Sequence, residues 1–234
     1  MEFKVYGHGG KPVIVVPTQC GRFFEFEDYK MLDVYAPFIE DGKIQVFAID
    51  AIDTETYVGQ GDPRSKLERH EAWIKYIIEE AVPAFSRISL SANGWEMRFG
   101  VAGCSLGAMH AANLYFRFPD VFDRLLALSG LYSNEEYFGD YHDDLTYANS
   151  PEQFIAGMPA DHPYIEKYNR GKIIICCGQG AWEGPLLNST RNFQKILESK
   201  GIHAFVDYWG FDVSHDWYWW FVQSAYFLPK IFLN

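Results

Sequence analysis

Short β-branched runs alternate with helix-length stretches along nearly the whole chain. "KPVIVVP" (11–17), "KIQVFAID" (43–50), "EMRFGVAG" (96–103), "RLLALSG" (124–130), "KIIICCG" (172–178) and "HAFVDYWG" (203–210) read as six strands. They are short apolar runs bounded by Gly, Pro or Asp, as expected of strands buried on both faces. Between them lie helical patterns. One runs around 29–38. A second covers 65–85, where Leu67, Trp73, Ile77, Ile78 and Val82 share a face. "GAMHAANLYFRFP" is a helix ended by Pro119, and 186–200 is an amphipathic helix stopped by Gly201. A closing helix spans 217–233, with Pro229 expected to interrupt it or end its regular part. Alternation of this kind predicts an α/β fold: a mostly parallel sheet with helices on both faces, in three layers. Neither an internal repeat nor a linker breaks the chain, so 1–234 reads as one domain.

One stretch departs from the alternation. Residues 131–171 are rich in Tyr, Asp, Asn and Pro and carry little strand pattern. A segment this long between two strands is an insert or lid, and it should border a pocket. Tyr132, Tyr137, Phe138, Tyr141, His142 and Tyr147 are its aromatic supply. They either line that pocket or pack on one another. "DYHDD" (140–144) has the residues of a metal site but not the spacing, and reads as a solvated acidic loop.

Composition narrows the partners. The 234 residues are 48% apolar and 22% charged, with aromatics at 18%. These are the proportions of a globular chain. The formal charge is −11 and the pI about 5.0, with no basic stripe. Binding to nucleic acid or to an anionic membrane is therefore not expected. There is neither a basic-then-apolar leader nor a long uncharged apolar run, so the chain reads as cytoplasmic. Cys20, Cys104, Cys176 and Cys177 match no zinc spacing; the adjacent pair lies in a strand and reads as buried, reduced thiols.

The chemistry starts at the turn after the third strand. Gly103-Cys104-Ser105-Leu106-Gly107 is a G-x-S-x-G sequence with a strand before it and a helix after it. In that context the serine sits on a sharp strained turn with its hydroxyl exposed above the sheet, and glycines flank it where side chains would collide. Ser105 is thus the candidate nucleophile. The amide of Leu106, at the helix N-terminus, is a candidate oxyanion donor. Cys104, the residue before the serine, should point away from the cleft.

"GCSLGAMHAA", "FPDVFDRLLALSG" and "SHDWYWW" together resemble the α/β-hydrolase superfamily, and within it the "putative esterase" group. That group takes in esterase D-type S-formylglutathione hydrolases, feruloyl esterase domains and mycobacterial mycolyltransferases. The resemblance covers nearly the whole chain and implies a Ser–acid–His triad in that order. It puts the base at His215, in the loop after the last strand. The acid is expected just past the penultimate strand, where "GQGAWEGP" offers only Glu183. Many relatives have an aspartate slightly earlier, where this chain has Gly180 and Ala181. Asp212 is the alternative acid. Asp216, beside the histidine, is a weaker rival with an ordinary role at the start of the closing helix. By the same resemblance the loop after Pro17 supplies the second oxyanion amide, from Thr18 or Gln19.

These expectations describe a serine esterase that hydrolyses a small-molecule ester through an acyl-serine, without metal or cofactor. An acyltransferase of the same fold and a catalytically silent binding module are the competing readings. Monomer and homo-oligomer both remain open.

Overall fold

The structure, a computed structural model, describes residues 1–233. The chain opens with β1 (Phe3–Tyr6), β2 (Lys11–Val16), α1 (Glu25–Asp28), α2 (Met31–Glu40) and β3 (Ile44–Ile49). A 3₁₀ turn (Asp53–Glu55), α3 (Pro63–Tyr76), a π turn (Ile77–Ala81), α4 (Val82–Asn93), β4 (Phe99–Cys104), α5 (Leu106–Arg117) and β5 (Phe122–Leu128) follow. The insert holds four short helices, α6 (Glu135–Phe138), α7 (Asp144–Ala148), α8 (Pro151–Gly157) and α9 (Pro163–Arg170). The chain then completes β6 (Lys172–Cys177), α10 (Gly184–Ser199), β7 (Phe205–Tyr208) and α11 (Trp217–Phe232).

The strands form one sheet in the order β1-β3-β2-β4-β5-β6-β7. All six expected strands are present and parallel to one another. The addition is β1, antiparallel on β3 and four residues long. An edge strand this short carries too little alternation to stand out from the sequence.

Strand side chains alternate between two cores. Ile14, Val16, Phe47, Val101 and Ile175 pack with α3, α5 and α10, while Val13, Val15, Val46, Ala102 and Cys176 pack with α2 and α11. This is the three-layer arrangement the alternation predicts.

Two helices differ from expectation. The 65–85 pattern extends from Pro63 to Asn93 and is broken by the π turn at Ile77–Ala81. Pro83 lies just beyond it; its ring cannot donate to the preceding turn, and a wider turn absorbs the defect. Pro229, by contrast, does not end α11, which continues to Phe232. Phe227, Leu228 and Ile231 are fully buried on either side of the proline and hold the helix down, while Ala225, one turn before it, is exposed.

Candidate active site

Every candidate site residue leaves the sheet at the C-terminal ends of its parallel strands, the edge where open α/β sheets bind ligands. Ser105 follows β4 directly, with φ +57° and ψ −128°. This strained backbone is held by its neighbours. A Cβ on Gly103 would lie 2.2 Å from the Gly107 carbonyl oxygen, and one on Gly107 would lie 2.3 Å from the Pro17 oxygen. Only glycine fits at either position, so α5 can close against β4 and β2 and lift the hydroxyl above the sheet. Cys104 points into the core at 2% exposure, and burial pushes its thiol well above the ordinary range.

His215 Nε2 lies 2.9 Å from Ser105 Oγ. The other ring nitrogen, Nδ1, is 3.5 Å from Glu183 Oε2, within ion-pair reach but long for a hydrogen bond. Glu183 is fully buried. Ser129 donates to its Oε1 at 2.6 Å, and Trp220 Nε1 donates in turn to Ser129 Oγ at 3.2 Å. Trp220 also sets its ring edge-on to the imidazole, 4.9 Å between centroids. The acid loop and the base loop are laced together by Gly180 N–H to the Val213 carbonyl (2.8 Å) and His215 N–H to the Ala181 carbonyl (3.0 Å). A buried carboxylate, an imidazole and a hydroxyl in this sequence are able to pass a proton from the hydroxyl to the ring while the carboxylate steadies the resulting cation.

Of the rival acids, Asp212 is exposed and, among the described residues, forms no ion pair or hydrogen bond with the imidazole, whose partners are Ser105 and Glu183. Asp216 caps α11, accepting from the Trp219 amide at 3.4 Å and from the Ser214 hydroxyl.

A family model described as "Putative esterase" matches residues 18–225. The chain belongs to this family. That membership places it among the esterase-type hydrolases. Solved structures agree on the fold. A ferulic acid esterase superposes with a TM-score of 0.71 at 16% identity, over 99% of this chain and 91% of that one. An S-formylglutathione hydrolase from Agrobacterium tumefaciens gives 0.72 at 13% identity, over 97% and 87%. MPT51 of Mycobacterium tuberculosis gives 0.67 at 15% identity, over 98% and 91%. All three share the α/β-hydrolase fold, and at these identities the likeness extends to the fold alone. No curated protein sequence matches the chain. Among the described residues, no helix is long and apolar enough to cross a membrane.

In this esterase-family chain the absence of an aspartate at Gly180 has a steric cause. A Cβ there would lie 2.6 Å from the Val213 carbonyl oxygen and 2.9 Å from that of Phe211. The base loop closes position 180 to any side chain, and the carboxylate that lies beside the imidazole comes from Glu183, at the start of α10.

The structure also separates the two amides that sequence left level. The N–H of Thr18 is spent on Glu25 Oε2 at 2.7 Å, whereas that of Gln19 has no partner among the described residues. The Leu106 amide, first in α5, is likewise unpaired.

One neighbour went unnoticed in the sequence, Ser129, whereas Trp220 closes the "SHDWYWW" stretch already singled out. Its position at the end of a strand, on the edge where the other site residues emerge, was the only signal for Ser129. The aromatic run after His215 is less buried than its composition suggests. Trp220 is buried and Trp217 partly so, but Tyr218 is 64% exposed, because only one side of α11 meets the sheet. In the insert, the "DYHDD" carboxylate Asp143 caps α7 and pairs with Arg64 of α3 at 2.9 Å.

Proposed function

We propose that the protein is a serine esterase that hydrolyses a carboxylic ester through an acyl-serine, with Ser105 as nucleophile, His215 as base and Glu183 as the orienting acid. One observation carries the reading: a 2.9 Å approach of His215 Nε2 to Ser105 Oγ on a strained turn that neighbouring backbone enforces. As Ser105 Oγ attacks the ester carbonyl carbon, its proton moves to Nε2. The carbonyl oxygen becomes an oxyanion, held by the amides of Leu106 and Gln19. When the tetrahedral adduct collapses, the C–O bond to the alcohol breaks and Nε2 returns the proton to the departing oxygen. Water then attacks the acyl-serine by the same route, releasing the acid and restoring Ser105.

A short aryl ester such as p-nitrophenyl acetate tests the scheme. Ser105→Ala and His215→Ala are expected to lower kcat about 10⁴-fold or more, and Glu183→Gln about 10²- to 10⁴-fold, with KM little changed. Undiminished turnover in folded Ser105→Ala would sink the proposal. Hydroxycinnamoyl esters and S-formyl thioesters, the chemistries in the names of two structural neighbours, belong in the same panel.

A further inference from the structure

The loop between β2 and α1 carries the amide of Gln19, and it is held on both sides by buried carboxylates. On one side, Glu25 accepts the Thr18 N–H at Oε2 and the Thr18 hydroxyl at Oε1, both at 2.7 Å. On the other, Asp53 Oδ2 accepts the Cys20 N–H at 3.1 Å, while its Oδ1 lies 2.9 Å from His110 Nε2 on the nucleophile helix. Glu25 is 8% exposed and Asp53 2%. A buried carboxylate is costly unless strong donors meet it; Glu25 finds both of its donors at Thr18, and Asp53 finds one at Cys20 with His110 beside its other oxygen.

The intervening geometry fits a built device. Gly21 N–H bonds the Thr18 carbonyl at 2.8 Å and closes a turn whose third residue, Cys20, has φ +61°. Gly21 itself has no side chain because Glu25 fills the space; a Cβ there would lie 2.3 Å from the Glu25 carboxylate. The amides before and after Gln19 are both tied down. Between them the Gln19 amide has no partner among the described residues, two residues beyond the Pro17 carbonyl against which α5 packs. From the insert, Tyr137 donates to the Gln19 side-chain oxygen at 3.3 Å.

We infer that Glu25 and Asp53 are positioning residues for the oxyanion hole, fixing the turn so that the Gln19 amide is presented, unpaired, to the developing negative charge. This rests on the esterase reading. Neither carboxylate touches the substrate; both act through the turn. Pre-oriented donors matter most in the transition state, so the clamp should show in kcat and not in KM.

The test uses the full-length protein, p-nitrophenyl acetate and an aryl trifluoromethyl ketone, whose free carbonyl is attacked by the serine hydroxyl to give a tetrahedral oxyanion, the hydroxyl proton passing to His215. Glu25→Ala and Asp53→Ala are expected to lose about 10- to 100-fold in kcat, with KM within about threefold, and to lose affinity for the ketone in parallel. Glu25→Gln and Asp53→Asn, which keep an acceptor in place, should recover most of both. If an alanine variant does not fold, Glu25→Asp and Asp53→Glu carry the test. They retain the charge but displace the acceptor, and the same kcat loss is expected. Wild-type kcat in these folded variants, or a loss confined to KM, overturns the inference. A wild-type protein that neither turns over esters nor reacts with a fluorophosphonate at Ser105 refutes the esterase reading instead, so the two failures are distinguishable.

Discussion

Gly107 shows how much of the site depends on the absence of a side chain. A methyl group there would press on the carbonyl oxygens of Pro17 at 2.3 Å and Val16 at 2.6 Å, both of them backbone and neither free to rotate away. Gly107→Ala must therefore push α5 off β2, at a cost of about 1–3 kcal/mol in stability. The displacement falls between the serine turn and the loop carrying Gln19, so the catalytic loss should exceed the stability loss. Urea unfolding and ester turnover on the same sample check this; full activity at reduced stability would mean the contact serves packing alone. Strain collects in this region generally. Among the described residues the non-glycine positions with positive φ are Cys20, Lys30, Ser105, Ser129 and Trp182. All but Lys30 belong to loops at the catalytic edge, where an over-determined backbone can hold groups in unfavourable geometry.

At the scale of elements, the insert is fastened to the helices beneath it through Asn149, which is fully buried. Its side-chain oxygen accepts from Asn113 (2.7 Å) and Arg117 (3.0 Å), and its amide donates to Glu71 (2.6 Å) and to the Leu145 carbonyl (3.0 Å). Asn149→Ala leaves the Asn113 amide unpaired and Arg117 and Glu71 each short of a partner in a low-dielectric setting, so about 2–4 kcal/mol should be lost. Urea unfolding measures the loss, and limited proteolysis should cut first within 131–171; a change under about 1 kcal/mol would refute the assigned role. Such a network shows where sequence reading stops. The strands, the serine turn and the histidine loop were legible because periodicity and local motif determine them. Pairing Ser105 with His215 took strand order together with the Ser–acid–His order that the family resemblance implies. Glu25, Asp53, Ser129 and Asn149 are ordinary polar residues in sequence, and their significance comes from partners up to 91 positions away. Thr18 and Gln19 were indistinguishable for the same reason, since a carboxylate seven residues on decides which amide is free.

Across the whole molecule, acid has two opposing effects on stability. At −11 and a pI of about 5.0, lowering the pH from neutrality relieves self-repulsion and favours the compact state. His70 works against this. It is 2% exposed in α3, its ring stacked on Trp73, edge-on to Tyr57 and beside His110, with Nε2 unpartnered. Burial, with His110 and Arg117 nearby, holds its pKa well below the ordinary 6.5. The folded protein therefore keeps His70 neutral while the unfolded chain takes up a proton near pH 6.5. The stabilisation is present above that value and is lost as pH falls through and below it. Between pH 7 and 5.5 the loss is about 1 kcal/mol. His70→Phe keeps the ring in place and removes the proton site, and both proteins share the charge relief. The difference between their urea midpoints, followed by tryptophan fluorescence at pH 7.5, 6.5 and 5.5, isolates the histidine. The wild type should lose about 1 kcal/mol relative to the variant over the lower part of that range. Parallel pH profiles would show that His70 accepts a proton in the folded state, and that the Tyr57–His70–His110 cluster is open to water in a way its burial does not suggest.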